Sequence, residues 1–302
     1  MNGPEIRIGT RGSALALAQA KLAADAVLSD GRAARLVIVE TEGDRRAPDT
    51  AWGEGAFVRA IERALLANRI DVAVHSAKDV PTDERDDLVI AAFLPRADAR
   101  DALVVSGDAA ATLDELPEGA RVGTDSPRRT GFLRARRPDL RVHPLHGNVD
   151  TRLRRLDAGE TDALLLACAG LDRLGRGARI AERLAPDVVP PAPGQGAIAL
   201  QIRRSDGRLQ GILAAVDDRR TRVAVEAERA LLIAAGGGCR APIGAFGELR
   251  DGRLHLLAGR AEPEGSWALT RRRSGPIADA ASIVATLHAE LWPEQIATGS
   301  DA

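Results

Sequence analysis

Two segments in the first half of the chain share a plan that leaves few folds open. Gly9-Thr10-Arg11-Gly12-Ser13 follows the strand-like Ile6-Arg7-Ile8, and Gly123-Thr124-Asp125-Ser126-Pro127-Arg128-Arg129 follows Arg121-Val122. Each sets Gly-Thr at a strand end, then a hydroxyl residue able to cap a helix, with arginine near the helix start. Pro127 stands at a first helical position, where no N–H is needed. Helix patterns run on from Ala14 and, in the second segment, to Arg136. Further strands are expected over 36–39, 70–75, 140–143 and 163–167, and helices over 56–68 and 149–157. Strand and helix thus alternate twice over, which predicts two α/β lobes built from βαβ units with parallel sheets. Both helix N-termini present unpaired N–H groups and the positive end of a dipole, so each suits an anion; facing one another they would bound a cleft.

A Pro/Gly-rich crossing at 190–196 precedes an apolar strand over 197–202, which is expected to return to the first sheet. A helix over 221–235 then opens a C-terminal unit with three β-type runs (243–249, 254–259, 267–272) and a closing helix over 277–291, a small α+β domain. The expected division is residues 4–94 with 197–217, residues 95–196, and residues 218–302. Segments near 95–100 and 190–196 are the expected hinges.

The formal net charge of -1 over 302 residues conceals a local excess. Between Arg121 and Arg155 there are ten arginines against three aspartates. Such a segment is a solvated face, a nucleic-acid surface or a site for a polyanionic small molecule. Aromatic residues make up 2% of the chain and tyrosine is absent, so base stacking has little to work with. The N-terminal residues lack the apolar stretch of a signal peptide and no segment approaches a membrane span, so a cytoplasmic location without membrane or nucleic-acid partners is expected. The chain has two cysteines, which excludes a disulfide framework. Cys168 lies in the apolar run Ala163-Leu164-Leu165-Leu166-Ala167-Cys168-Ala169 and reads as core. Cys239 lies in Gly236-Gly237-Gly238-Cys239-Arg240-Ala241-Pro242-Ile243-Gly244, where it is either a small turn residue or an accessible thiol whose thiolate Arg240 favours.

Lysine is rare, with Lys21 and Lys78 the only two. Lys78 sits in Ala73-Val74-His75-Ser76-Ala77-Lys78-Asp79-Val80-Pro81, an ammonium and a carboxylate together at a strand end. Taken alone the pair is either an ordinary surface pair or part of a ligand site, since open α/β sheets hold ligands at strand ends. Together with the Gly-Thr segments, Gly147-Asn148-Val149-Asp150-Thr151-Arg152, Ala169-Gly170-Leu171-Asp172-Arg173-Leu174, Pro193-Gly194-Gln195-Gly196 and the Cys239 loop, it closely resembles the porphobilinogen deaminase (hydroxymethylbilane synthase) family. The match runs in order from about Ile6 to Gly244, and more loosely beyond.

The resemblance implies two periplasmic-binding-protein-like lobes with a cleft between them and a small C-terminal domain. It implies a monomeric transferase that joins four porphobilinogen molecules head to tail with loss of ammonia, on a dipyrromethane cofactor bound to Cys239 by a thioether. The released product is a linear tetrapyrrole. Asp79 matches the family's catalytic carboxylate, which stabilises positive charge on pyrrole nitrogens. Arg11, Ser13, Lys78, Arg128, Arg129, Arg152 and Arg173 match positions that bind acetate and propionate groups, with hydrogen bonds added by Thr124, Ser126 and Gln195. No metal ligand set is assigned. Arg134, Arg136, Arg137, Arg154 and Arg155 match no site motif and read as solvated surface.

Four positions depart from the family pattern. His146 stands where arginine is usual, so an anion contact there depends on protonation. Glu42 replaces a basic residue, the loop over 51–57 is short and free of lysine, and Asp125 replaces a more usual serine. These departures support an alternative, a paralogue that binds tetrapyrroles or anions without polymerising them. A periplasmic anion-binding protein is the rival from another class, but it predicts an export signal and has no use for Cys239.

Overall fold

The computed structural model describes residues 4–28, 32–40, 55–83, 85–107, 110–238 and 241–295, without the side chains of 56 and 57. Cys239, Glu42 and residues 51–54 of the lysine-free loop lie outside the described residues.

The strands in chain order are β1 (Ile6–Thr10), β2 (Ala34–Ile38), β3 (Val72–Ser76), β4 (Leu88–Phe93), β5 (Asp101–Val105), β6 (Arg121–Gly123), β7 (Arg141–His143), β8 (Ala163–Ala167), β9 (Glu182–Arg183), β10 (Ile198–Arg203), β11 (Ile243–Arg250), β12 (Arg253–Ala261) and β13 (Ala268–Pro276). They form two five-stranded sheets, β2-β1-β3-β10-β4 and β7-β6-β8-β5-β9, and a three-stranded sheet, β11-β12-β13. The two larger sheets have the same layout, so the rhyme between the Gly-Thr segments reflects a repeated architecture.

The sheets are not purely parallel, as the strand–helix alternation had predicted. β10 runs antiparallel to β3 and β4, and β5 runs antiparallel to β8 and β9. Both exceptions arise where the chain changes lobes. It leaves the first sheet after β4 to become β5, and leaves the second after β9 to become β10. Each crossing starts at the edge where the parallel strands end and has no crossover helix to carry it back, so the next strand runs in the opposite sense. The two crossings therefore pass along the side of the sheets that carries the strand ends, where an α/β ligand site belongs.

Local chemistry accounts for the helix starts that face this side. Ser13 Oγ accepts from Ala16 N at 3.4 Å at the head of the Ala14–Leu28 helix. Ser126 caps the Pro127–Arg136 helix by accepting from Arg129 N, and Asn148 caps the Val149–Asp157 helix by accepting from Thr151 N. In Ala14–Leu28 the buried residues Gln19, Ala20, Ala23, Ala24 and Val27 fall on one face, and alanine there lets the helix lie close on the sheet. Ile6, Ile8, Val72, Val74, Ile198 and Leu200 form the core beneath it, and each such side chain is worth about 1.5–3 kcal/mol on burial.

The C-terminal unit packs the Arg219–Ala234 and Ala280–Leu291 helices against its small sheet through Leu231, Leu256, Leu287 and Leu291. Glu228, fully buried, ties this unit to the crossings. Its carboxylate accepts from Arg96 Nη1 at 2.5 Å, Gly194 N at 2.7 Å and Gly247 N at 2.6 Å. Among the described residues no helix is long and apolar enough to cross a membrane.

Candidate active-site cleft

A cavity of about 650 Å³ lies where the parallel strands of both lobes end. The first lobe contributes Arg11 and Ser13 after β1, Glu40 after β2, Ser76 at the end of β3, and Lys78 and Asp79 after it. The second lobe contributes Asp125 and Arg129 after β6, His146 and Asn148 after β7 with Arg152 in the following helix, and Ala167 at the end of β8. Seven of the residues expected from the sequence to act here therefore meet around one space: Arg11, Ser13, Lys78, Asp79, Arg129, His146 and Arg152.

Lys78 and Asp79 sit in a single 3₁₀ turn, Ala77–Asp79, directly after β3. Asp79 is exposed and lines the cavity. The turn is held from behind by two other parts of the chain. Arg229 of the C-terminal unit donates to the carbonyls of Val80 at 2.8 Å and Pro81 at 2.9 Å. Gly194, at φ +77°, brings the second crossing so close that an added Cβ would stand 3.1 Å from the Ala77 Cβ and the Lys78 N. Only a residue without a side chain fits both that space and that backbone angle.

Electrostatics mark the cavity as a place for anions. Burial pushes the Lys78 ammonium down to about 8; Asp79 works against that, and Arg129 adds to it. Burial pushes the Arg152 guanidinium down to about 10, with the charge of Arg129 acting in the same direction. Cations that lose proton affinity through desolvation and mutual repulsion regain it when a carboxylate enters between them. Among the described residues Lys78 Nζ donates to a neutral acceptor, Gln195 Oε1, at 3.3 Å, and Arg152 Nε donates to the Gly147 carbonyl at 2.8 Å.

The other expected residues lie behind this lining. Arg128 is buried and donates to Asp101 Oδ2 and to the Pro190 carbonyl, both at 2.6 Å. Arg129 binds the other oxygen of Asp101 through Nη2 at 2.7 Å and Nε at 3.1 Å, while still bordering the cavity. Gln195, fully buried, donates to Asp101 Oδ1 at 2.8 Å and to the Ala99 carbonyl at 2.7 Å. Arg173 donates to the Gly196 carbonyl at 2.6 Å, and burial lowers its proton affinity. Thr124 is buried, its Oγ1 accepting from Ser126 N at 3.3 Å, and Ser126 is engaged in capping. These side chains hold the two crossings and the helix start in place. Asp101 is the hub of that arrangement.

Several contributors gave no local signal in the sequence. Gln19 and Ser76 exchange a hydrogen bond at 2.9 Å and line a cavity of about 100 Å³ beside Asp79. The contacts of Asp101 with Gln195, Arg96 with Glu228 and Arg229 with Val80 span 94 to 149 residues of chain, and no spacing rule reaches so far. The surface reading of the other arginines fits Arg136 and Arg155, which form exposed ion pairs with Asp114 and Glu160. Arg137 does more, donating to the Leu113 and Leu116 carbonyls and pinning a loop.

Residues 6–211 match the family model described as porphobilinogen deaminase, dipyromethane cofactor binding domain, and residues 222–292 match the model for the porphobilinogen deaminase C-terminal domain. Porphobilinogen deaminase of Acidothermus cellulolyticus is 48% identical over 293 residues, covering 95% of this chain and 88% of that protein. The Paracoccus denitrificans protein of the same name is 46% identical, covering 95% and 93%. That of Mycobacterium tuberculosis is 48% identical over 255 residues, covering 82% of each. Among solved structures, a periplasmic substrate-binding protein of an ABC transporter from Coxiella burnetii aligns with a TM-score of 0.44 at 14% identity, over 72% of this chain and 94% of that one. A putative methionine-binding lipoprotein from Bacillus subtilis aligns with a TM-score of 0.44 at 13% identity, over 72% and 92%. The chain belongs to the porphobilinogen deaminase family.

Proposed function

We propose that the chain is a hydroxymethylbilane synthase that links four porphobilinogen molecules head to tail, expels ammonia at each addition and releases the linear product by hydrolysis. The observation that carries this reading is the meeting of Asp79 and Lys78 with Arg11, Arg129 and Arg152 around one cavity between strand ends of two lobes. A carboxylate among cations is what a substrate needs that carries acetate and propionate groups and develops positive charge at its ring.

The cavity fits the family's dipyrromethane. Its volume of about 650 Å³ suits linked pyrrole rings, and the lowered proton affinity of Lys78 and Arg152 is a demand for ring carboxylates. Arg11, Lys78, Arg129 and Arg152 would hold it, and Cys239 would anchor it. When bound, the dipyrromethane supplies the pyrrole carbon to which the first substrate ring is joined.

Within this reading Asp79 stabilises the positive charge that develops on a pyrrole nitrogen as the substrate amine departs. At an effective dielectric of about 20, opposite charges about 4 Å apart attract by roughly 4 kcal/mol before desolvation, on the order of a thousandfold in rate. Lys78 and the arginines take the side-chain carboxylates and so orient the ring against Asp79. Asp101 holds Arg129 in its rotamer, and Arg229 with Gly194 holds the Lys78 and Asp79 turn. The division into residues 4–94 with 197–217, 95–196 and 218–302 belongs to the same reading, with the crossings as hinges. So do a cytoplasmic location and a monomeric state without nucleic-acid or membrane partners.

The test is porphobilinogen consumption by the wild type and by Asp79→Asn, with bound dipyrromethane followed by its colour with Ehrlich's reagent. The variant is expected to keep the colour and lose about a hundredfold or more in kcat. Wild-type kcat in Asp79→Asn would remove Asp79 from the chemistry.

A further inference from the structure

A second cavity, of about 720 Å³, lies where the first crossing meets the C-terminal unit, and it shares no lining residue with the cleft. Small-molecule sites span about 300–1,000 Å³, so its size is that of a ligand site. Three parts of the chain wall it. The first crossing supplies residues 95–100, the second lobe supplies Pro186, and the C-terminal unit supplies the start of its Arg219–Ala234 helix, residues 246–250 of β11 and Arg272 of β13. Pro95, Ala97, Ala224, Phe246 and Leu249 give it an apolar surface. The Arg96 guanidinium stands 5.2 Å from the centre of the Phe246 ring and steadies it.

The polar part of the lining has donors to spare and its acceptors are taken. Of its three carboxylates, Asp98 accepts from Arg100 at 2.7 Å and Arg183 at 2.9 Å, Glu248 accepts from Arg250 at 2.7 Å, and Asp218 accepts from Thr221 N at 2.7 Å and Oγ1 at 2.6 Å. Of its five arginines, Arg96 is spent on Glu228 and on the carbonyls of Gln195 and Gly247. Arg250 gives one N–H to Glu248, and Arg272 gives Nε and one Nη2 proton to Asp187. Arg220 makes no ion pair or side-chain hydrogen bond among the described residues. Arg220, Arg250 and Arg272 are all exposed, and a guanidinium has five N–H donors. Spare donors and an unmatched cation beside an apolar surface are complementary to an anion with an apolar body.

We propose that this cavity is a regulatory site for an organic anion, a flat apolar ring system bearing a carboxylate or sulfonate, and that its occupancy restrains the first crossing. The wall of the cavity is also the support of the cleft. Arg96 Nε donates to the Gln195 carbonyl at 2.8 Å; Gln195 in turn accepts from Lys78 at 3.3 Å and donates to Asp101 at 2.8 Å, and Asp101 holds Arg129. An anion that touches residues 95–100 and 246–250 together ties the crossing to the C-terminal unit. It binds best in the arrangement that keeps those segments at their present separation, and other arrangements are disfavoured by its differential affinity. Growth of a chain in the cleft needs the lobes to move about the crossings, so the anion acts as a brake from outside the cleft. Binding stands on the cavity alone, and the braking rests on the functional reading given above.

Two measurements test the site, the first without turnover. The holoenzyme is titrated with anilinonaphthalene sulfonate, a flat apolar anion that fluoresces once removed from water. The wild type is compared with Arg220→Glu, Arg250→Glu and Arg208→Glu, the last an exposed residue of the Gly207–Ala214 helix outside the cavity. Each cavity variant is expected to bind about tenfold more weakly, the worth of one charge-assisted hydrogen bond, and Arg208→Glu to bind as the wild type does. Unchanged affinity in both cavity variants, an equal loss in Arg208→Glu, or competitive displacement by porphobilinogen overturns the site. In the second measurement porphobilinogen turnover is followed with and without the probe. Wild-type kcat is expected to fall about fivefold or more at saturating probe, with KM little changed. Arg220→Glu and Arg250→Glu should keep wild-type kcat without the probe and need about tenfold more of it for the same inhibition. A bound probe that leaves kcat unchanged, or raises KM alone, overturns the brake. A wild type that turns over no porphobilinogen, while the probe still distinguishes Arg220→Glu from Arg208→Glu, overturns the functional reading and leaves the anion site standing.

Discussion

Asp101→Asn removes one charge from the centre of the structure behind the cleft. Asp101 is fully buried, and the side chains of Arg128 and Arg129 that bind it are 4% and 7% exposed. Four hydrogen bonds converge on its carboxylate: one from Arg128, two from Arg129 and one from Gln195. Asparagine keeps the shape but leaves two buried guanidiniums without a counter-charge and turns an NH₂ donor toward donors. Breaking a buried pair in this way costs about 3–5 kcal/mol, a large part of the roughly 5–15 kcal/mol that holds a domain folded. Burial alone would raise the proton affinity of Asp101, but Arg128 and Arg129 outweigh it and hold the carboxyl well below the usual carboxylate range. Because the folded value is depressed, the stabilisation is complete above the unfolded value near 4 and is lost as pH falls through the folded one. Urea unfolding at pH 7 should therefore show Asp101→Asn destabilised by about 3–5 kcal/mol, with the gap to wild type narrowing in acid. KM should rise as well, since Arg129 borders the cavity. A loss below about 1 kcal/mol at pH 7 with unaltered KM would refute the view that Asp101 organises the cleft arginines.

Three further outcomes follow from the same geometry. Gly194→Ala forces a side chain into a left-handed backbone angle 3.1 Å from the turn that carries Lys78; a loss of about 1–3 kcal/mol and a lower kcat/KM are expected, and wild-type values for both would deny that the crossing positions that turn. Lys78 has a folded value near 8, below its unfolded one, so the unfolded chain binds more protons between them and apoprotein stability should rise with pH from about 8 to the ordinary lysine range; Lys78→Met should abolish that rise, and a rise that persists would locate it elsewhere. Burial, aided by Asp98, pushes the Cys168 thiol up to about 12, so alkylation at pH 8 should spare Cys168 in the folded protein and reach it in urea, as peptide masses would report; ready labelling of folded Cys168 would contradict its place in the core.

The parts of the fold visible in the sequence are those with local causes. Ser126 before Pro127 announces a helix start through chemistry confined to a few residues, and the structure has that cap. The repeated Gly-Thr segments foretold two lobes because each encodes the same strand-to-helix turn. The antiparallel placement of β5 and β10 was not visible, since strand direction is set by which lobe the chain comes from and by nothing in the strand itself. The cleft divides the same way. Lys78 and Asp79 could be found because they adjoin at a strand end. The count of arginines could not tell Arg152, which faces the cavity, from Arg128, which faces Asp101, because burial is a property of the folded chain. Glu228 was invisible for the same reason, its partners being residues 96, 194 and 247.

Intact-mass measurement of the purified protein, with and without porphobilinogen, tests the central claim most directly. The account predicts a mass above that of the sequence by two pyrrole units, stepwise additions of further units with substrate, and loss of both in Cys239→Ser. A folded protein that keeps the bare sequence mass after exposure to porphobilinogen or hydroxymethylbilane would contradict it.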